Sequence, residues 1–254
     1  MIERRHFTKL LMAIPIAAIG CSAKPVVQKT GEGQTGFSYL PGITTRERLI
    51  APKGRQIKVA FPINPGAQVI DVAGPWETFQ DTYLSPDAEN AAFQLFTVSE
   101  TLKPVRGSGG LMIVPDFTIE TAPVPDVVVV PHFDVPTPFT HEISGIHKWI
   151  KETHEHAALT MSVCTGAFQL AKTGLLDGLP MTTNQRAYDN FAKSFPEANL
   201  RRGPRFVEVN RIATSGGLSA GIDLALRVVS RYFGNDVAQQ TANTMEYVGK
   251  GWRV

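Results

Sequence analysis

The chain has 254 residues, of which 43% are hydrophobic and 19% charged, and it contains two cysteines. That length and apolar content fit one α/β domain behind a short leader and exclude a chain that is mostly disordered. The net charge of +2 resides in the first twenty residues, where Arg4, Arg5 and Lys9 stand against Glu3 alone. The remainder balances, and a balanced domain offers no electrostatic footprint for nucleic acid.

The start of the chain reads as an export signal. Its basic opening precedes the apolar run from Leu10 to Ile19, too short to span a bilayer but suited to a signal-peptide core. Arg4-Arg5-His6-Phe7-Thr8-Lys9 resembles a twin-arginine signal, and Ala18-Ile19-Gly20-Cys21 resembles a bacterial lipobox. The expected division is a signal peptide over 1–21, a flexible tether over 22–54 and a domain over 55–254. Cys21 would carry a lipid, making the mature protein membrane-anchored on the periplasmic or cell-surface side. The alternative is ordinary cleavage near Ala23 and a periplasmic protein. In either case Cys164 is the thiol that remains, so no intramolecular disulfide is expected.

The domain opens with a strand over 57–63. A helix is predicted from Asp71 or Gly74 to about Tyr83, with Pro75 near its first turn. Phe93 to Val98 alternates as a strand, and 107–118 holds a Gly-rich turn with an extra strand pair. Asp126-Val127-Val128-Val129-Val130-Pro131 reads as a central parallel strand covered on both faces. An amphipathic helix over 142–156 leads to a buried strand over 159–163. Helices follow from Gly166 to Gly174 and over 186–195, then short strands near 206–209 and 212–214. Two helices, from Gly216-Gly217 through Arg231 and over 237–248, complete the pattern. This alternation predicts a three-layer, flavodoxin-like sandwich with a mostly parallel central sheet.

Ser162-Val163-Cys164-Thr165-Gly166-Ala167-Phe168 is the most informative segment. A strand that becomes a helix within two residues forms a sharp nucleophile elbow, lifting its side chain to the rim where open α/β sheets bind ligands. A helix N-terminus beneath the thiol favours thiolate. The competing reading is that Cys164 is buried packing, since free cysteine is among the most buried residue types.

The segment 162–178 resembles the nucleophile segment of DJ-1/PfpI proteins, in the AraC-regulator-type branch that includes isonitrile hydratase. Val69-Ile70-Asp71-Val72-Ala73-Gly74-Pro75 and Thr214-Ser215-Gly216-Gly217-Leu218-Ser219-Ala220-Gly221-Ile222-Asp223 resemble two further blocks of that branch. The resemblance runs from about Ile57 to Tyr247 and implies a glutamine amidotransferase-like fold, a homodimer, and Cys164, Asp71 and Thr165 as catalytic residues. In this scheme the thiolate adds to an electrophilic carbon, a carboxyl relays protons, and backbone N–H groups stabilise developing charge. The alternative for Asp71 is a helix N-cap.

Two segments depart from the branch. Pro131-His132-Phe133-Asp134 stands where Pro-Gly-Gly is usual, and Thr182-Thr183-Asn184-Gln185 where Thr-Thr-His-Trp is usual. Both changes fall near the expected pocket; in the first, the loop takes another path or its side chains partly fill that pocket, whose expected members are His132, Phe133, Gly166 and Gly74. His132 reads either as a polar group beside the thiol or as a surface loop residue. His141, His147, His154 and His156 read as a solvated helix face, with no metal or other cofactor expected. Arg201-Arg202-Gly203-Pro204-Arg205 reads as a solvated basic loop.

Two functions follow. One is a Cys164-dependent hydratase or hydrolase acting on a small carbon–nitrogen substrate. The other is a non-catalytic ligand-binding or stress-sensing domain. Both take a small-molecule partner, and neither involves nucleic acid.

Overall fold

The computed structural model describes residues 41–85, 91–135 and 143–254; the leader and Cys21 lie outside them. The strands are β1 (Ile57–Pro62), β2 (Phe93–Ser99), β3 (Val105–Arg106), β4 (Met112–Ile113), β5 (Phe117–Thr118), β6 (Val127–Val130), β7 (Leu159–Ser162), β8 (Pro180–Met181), β9 (Asn199–Leu200), β10 (Phe206–Val209) and β11 (Ile212–Ser215). Between and after them run the helices α1 (Val69–Gln80), α2 (Gly145–His154), α3 (Gly166–Lys172), α4 (Tyr188–Ser194), α5 (Ala220–Phe233) and α6 (Asn235–Thr244).

Seven strands form the main sheet in the order β10-β11-β7-β6-β1-β2-β5. All its pairs are parallel except β10 with β11. The four valines of β6 are wholly buried, as a strand covered on both faces requires. Helices α1, α5 and α6 pack together, as do α2 and α3, and Phe168 of α3 stacks edge-on against Phe191 of α4. The expected α/β sandwich is therefore present. The short strands β8 and β9 pair in a sheet of their own, a pairing too brief to leave a periodic signal.

Helix α1 starts two residues before Asp71, with Gln68 at its N-cap. Asp71 is thus inside the first turn and is not the cap. Pro75 sits mid-helix, where its missing N–H removes the bond that would have reached the carbonyl of Asp71.

The segment 41–54 has no regular secondary structure, but it is bonded to the domain. Glu208 donates its backbone N–H to the Ile43 carbonyl, and Leu49 donates to Arg231. Arg227 and Arg231 donate to the carbonyls of Thr45 and Glu47 while both pair with the buried Glu208 carboxylate. Loop-like residues read from composition as part of a tether are thus held to the domain, in part by two cations that lie far along the chain.

Four neighbouring strands, β11, β7, β6 and β1, deliver the turns that follow them to one rim of the sheet. Those turns are 216–218, 163–165, 131–134 and 63–68, and they carry the site.

Candidate active site

Cys164 stands at the elbow between β7 and α3 with φ of 57°. A non-glycine residue in this left-handed region costs about 1–2 kcal/mol, which the surrounding bonds offset. Its N–H donates to the Gly216 carbonyl at 3.0 Å, and its own carbonyl accepts from the Thr183 hydroxyl at 2.8 Å. Gly166 permits the bend: a Cβ there would stand 2.1 Å from the Val130 carbonyl oxygen. The expected elbow is present, and Gly166 serves its packing.

The residue is only 6% exposed. The Asn184 side-chain amide donates to its sulfur at 3.2 Å, and the Thr165 hydroxyl lies at 3.9 Å. The backbone N–H groups of Thr165 and Leu218 also point at the sulfur. Burial nevertheless pushes the thiol above its ordinary value. The Asp71 charge adds to that rise, and the three donors only partly oppose it. The reading from the helix terminus, a resting thiolate, is therefore corrected: near neutrality the group is a thiol. Helix α3 has seven residues, too short a dipole to outweigh desolvation and a facing carboxylate.

Asp71 is fully buried. Its Oδ2 accepts the His132 N–H at 3.2 Å, and its Oδ1 has no hydrogen-bond partner. Burial raises its pKa to about 7, against a small opposing effect of the His132 N–H. A carboxyl group that exchanges its proton near neutrality beside a thiol is a suitable acid and base.

The loop 131–134 explains what replaces the glycines. His132 donates its N–H to Asp71 and accepts from Gln68 at its carbonyl, and Asp134 donates to Pro65. The Phe133 carbonyl accepts from Gln169 at 2.9 Å. Backbone groups thus fix the loop between α1 and α3. The Phe133 ring is 1% exposed and turns into the core beside His147, so the expectation that it lines the pocket is corrected. The His132 ring is partly exposed, with Asp134 at 3.6 Å, and burial lowers its pKa. Its contribution to the site is the peptide N–H. Gly74 lies in α1, where a Cβ would stand 3.0 Å from Ile222 of α5, so it serves helix packing and not the pocket.

Sequence reasoning placed neither Asn184 nor Leu218 at the sulfur. The one available signal was the departure at 182–185. His147 and His154, read as solvated, are buried. His147 accepts the Ser144 N–H at Nδ1, which places its own proton on Nε2 for Gln169 at 2.8 Å. His154 meets the Thr160 hydroxyl at 3.0 Å. Among the described residues no group of three or more His, Cys, Asp or Glu side chains is placed to hold a metal. Arg205 is not a solvated loop cation, since it pairs with the buried Asp223.

Comparison with known proteins bears on the family and the fold. The DJ-1/PfpI family model matches residues 57–231. An isonitrile hydratase of Pseudomonas putida is 31% identical over 191 residues, which cover 75% of this chain and 78% of that one. The HTH-type transcriptional regulator CdhR of Pseudomonas aeruginosa is 28% identical over 140 residues, covering 55% of this chain and 40% of the regulator. Among solved structures, a ThiJ/PfpI family protein from Pseudomonas syringae superposes with a TM-score of 0.66 at 24% identity over 77% of each chain. Drosophila melanogaster DJ-1beta superposes at 0.63 and 16% identity, over 77% of this chain and all of that one. The chain belongs to the DJ-1/PfpI family.

Proposed function

We propose that the chain is a cysteine-dependent hydratase acting on a small carbon–nitrogen electrophile of the isonitrile type. The observation that carries this reading is the pairing of a buried thiol with a buried carboxyl whose pKa is about 7. Asp71 exchanges protons through its unpartnered Oδ1. As a carboxylic acid it protonates the terminal carbon of the substrate while the Cys164 sulfur bonds to that carbon. The carboxylate then accepts the thiol proton, giving a thioimidate. Water adds to the same carbon, the carbon–sulfur bond breaks, and an N-substituted formamide leaves with the thiol restored. An exposure of 6% at Cys164 favours a slender substrate. The test incubates the purified protein with an alkyl isonitrile and follows the formamide by NMR. The parent turns over, and Cys164→Ala and Asp71→Asn each lose at least about a hundredfold.

A second reading, a small-molecule sensor, is favoured by the raised thiol pKa and by the regulator among the relatives. Absence of turnover, with saturable isonitrile binding in calorimetry, selects it. The proposal includes export with a lipid on Cys21 and a homodimer. Mass spectrometry of the mature N-terminus decides the first and light scattering the second.

A further inference from the structure

We propose that Asn184 is a third working side chain of this site: a neutral donor that holds charge on the Cys164 sulfur and leaves proton transfer there to Asp71. The inference rests on Cys164 being the reactive centre.

The amide can be oriented from its surroundings. Asn184 Oδ1 accepts the Arg186 N–H at 2.9 Å, so the NH2 end, 3.2 Å from the sulfur, is the end that faces Cys164. A flipped amide would set two donors against each other at Arg186 and a carbonyl oxygen against the sulfur. The turn that carries it is bound to the elbow a second time, by the Thr183 hydroxyl on the Cys164 carbonyl. Gly217 leaves the room, because a Cβ there would stand 2.5 Å from Asn184 Nδ2.

The surroundings of the sulfur suit an anion better than a thiol. Asn184 joins the Thr165 and Leu218 N–H groups around it. A thiol sulfur is a weak acceptor with little use for three donors, whereas a thiolate forming during attack meets all three in place. A carboxamide does not titrate in the working range. It therefore stabilises the charge without competing for the proton, and Asp71, the facing charge that acts on the thiol, keeps that task.

The test needs no substrate. The rate of Cys164 alkylation by iodoacetamide is measured against pH for the parent, Asn184→Leu, Gly217→Ala and Asp71→Asn, with near-ultraviolet circular dichroism as the check on folding. Asn184→Leu moves the curve to higher pH and slows alkylation at pH 8 by about tenfold, as loss of one hydrogen bond to a charged group implies. Gly217→Ala, which crowds the amide and leaves its chemistry intact, moves it the same way and serves as the test if the leucine variant fails to fold. Asp71→Asn moves it to lower pH. Curves for Asn184→Leu and Gly217→Ala that overlie the parent, with Asp71→Asn shifted, overturn the role of Asn184 alone. If Asp71→Asn also overlies the parent, the thiol–carboxyl pairing behind the proposed function fails as well.

Discussion

The strand β6 has an aspartate at each end of its environment, and the two are treated in opposite ways. At its start, Asp126 receives both arms of Arg55, at 2.6 and 2.9 Å, and the Lys58 N–H at 2.8 Å. Burial pushes its pKa up, but the Arg55 and Lys58 contacts outweigh that and hold it below the usual carboxylate range. Beyond the other end, Asp71 has one N–H, an unpartnered oxygen and, among the described residues, no cation, and burial pushes its pKa up to about 7. The first carboxylate fixes a register of the sheet. The second is left undersatisfied, which is the condition for moving a proton at neutral pH. Asp126 is partly exposed and Asp71 is not, and the counter-cation widens that difference: burial pushes both groups up, and Arg55 reverses it at Asp126.

Two substitutions test the contrast, the larger at the rim. Because folding raises the pKa of Asp71, its stabilising contribution is complete below about pH 4 and is lost as pH rises through about 7. A displacement of that size corresponds to at most about 4 kcal/mol. Asp71→Asn keeps an acceptor for the His132 N–H and removes the charge. It is therefore expected to be more stable than the parent at pH 8 in urea titrations, with the gap closing by pH 5. A variant less stable at pH 8 would mean that the carboxylate is solvated in the native protein. Under the proposed function the same substitution is expected to lower turnover by at least about a hundredfold, so stability and activity would move in opposite directions.

The smaller effect is at the other end. Folding lowers the pKa of Asp126, so its contribution is present at neutral pH and is lost only as pH falls below about 4 toward the depressed folded value. Arg55 is 46% exposed and solvent screens the pair, so Asp126→Asn is expected to cost about 1 kcal/mol at pH 7. The loss disappears in acid and leaves the alkylation of Cys164 unchanged. An equal loss at pH 3 would assign the effect to packing.

Both aspartates precede or follow legible patterns, and this marks how far the sequence can be read. The valine run announced β6, and the change from strand to helix at 162–168 announced the elbow, because both are local. Asp71 became a candidate only through resemblance, since its neighbours alone suit a helix cap equally well. Asn184 and Leu218 reach the sulfur from turns that follow β8 and β11. The departure at 182–185 marks the first segment as unusual without tying it to the sulfur, and the second holds no local sign of Cys164; the parallel pairing of β11 with β7 brings Leu218 there. The thiol's resting state was misjudged for the same reason. The helix terminus is local and visible, whereas burial and the facing carboxylate belong to the assembled rim. Likewise, the 41–54 segment reads as a tether because the arginines and the glutamate that hold it lie beyond residue 200.

That held segment also changes the chemistry of the sheet's margin. A sheet has two outer strands whose free peptide groups can recruit another chain and begin aggregation. Here β5 is two residues long, too brief a template to extend. At the opposite margin the Glu208 N–H of β10 is already occupied by Ile43, under arginines that pin the covering residues. Shortening the protein to its first regular strand at residue 57 would therefore uncover a four-residue β10 margin. The same change would leave Arg227 and Arg231 without the carbonyls they now cover, turning a region that composition presents as dispensable into the guard against self-association.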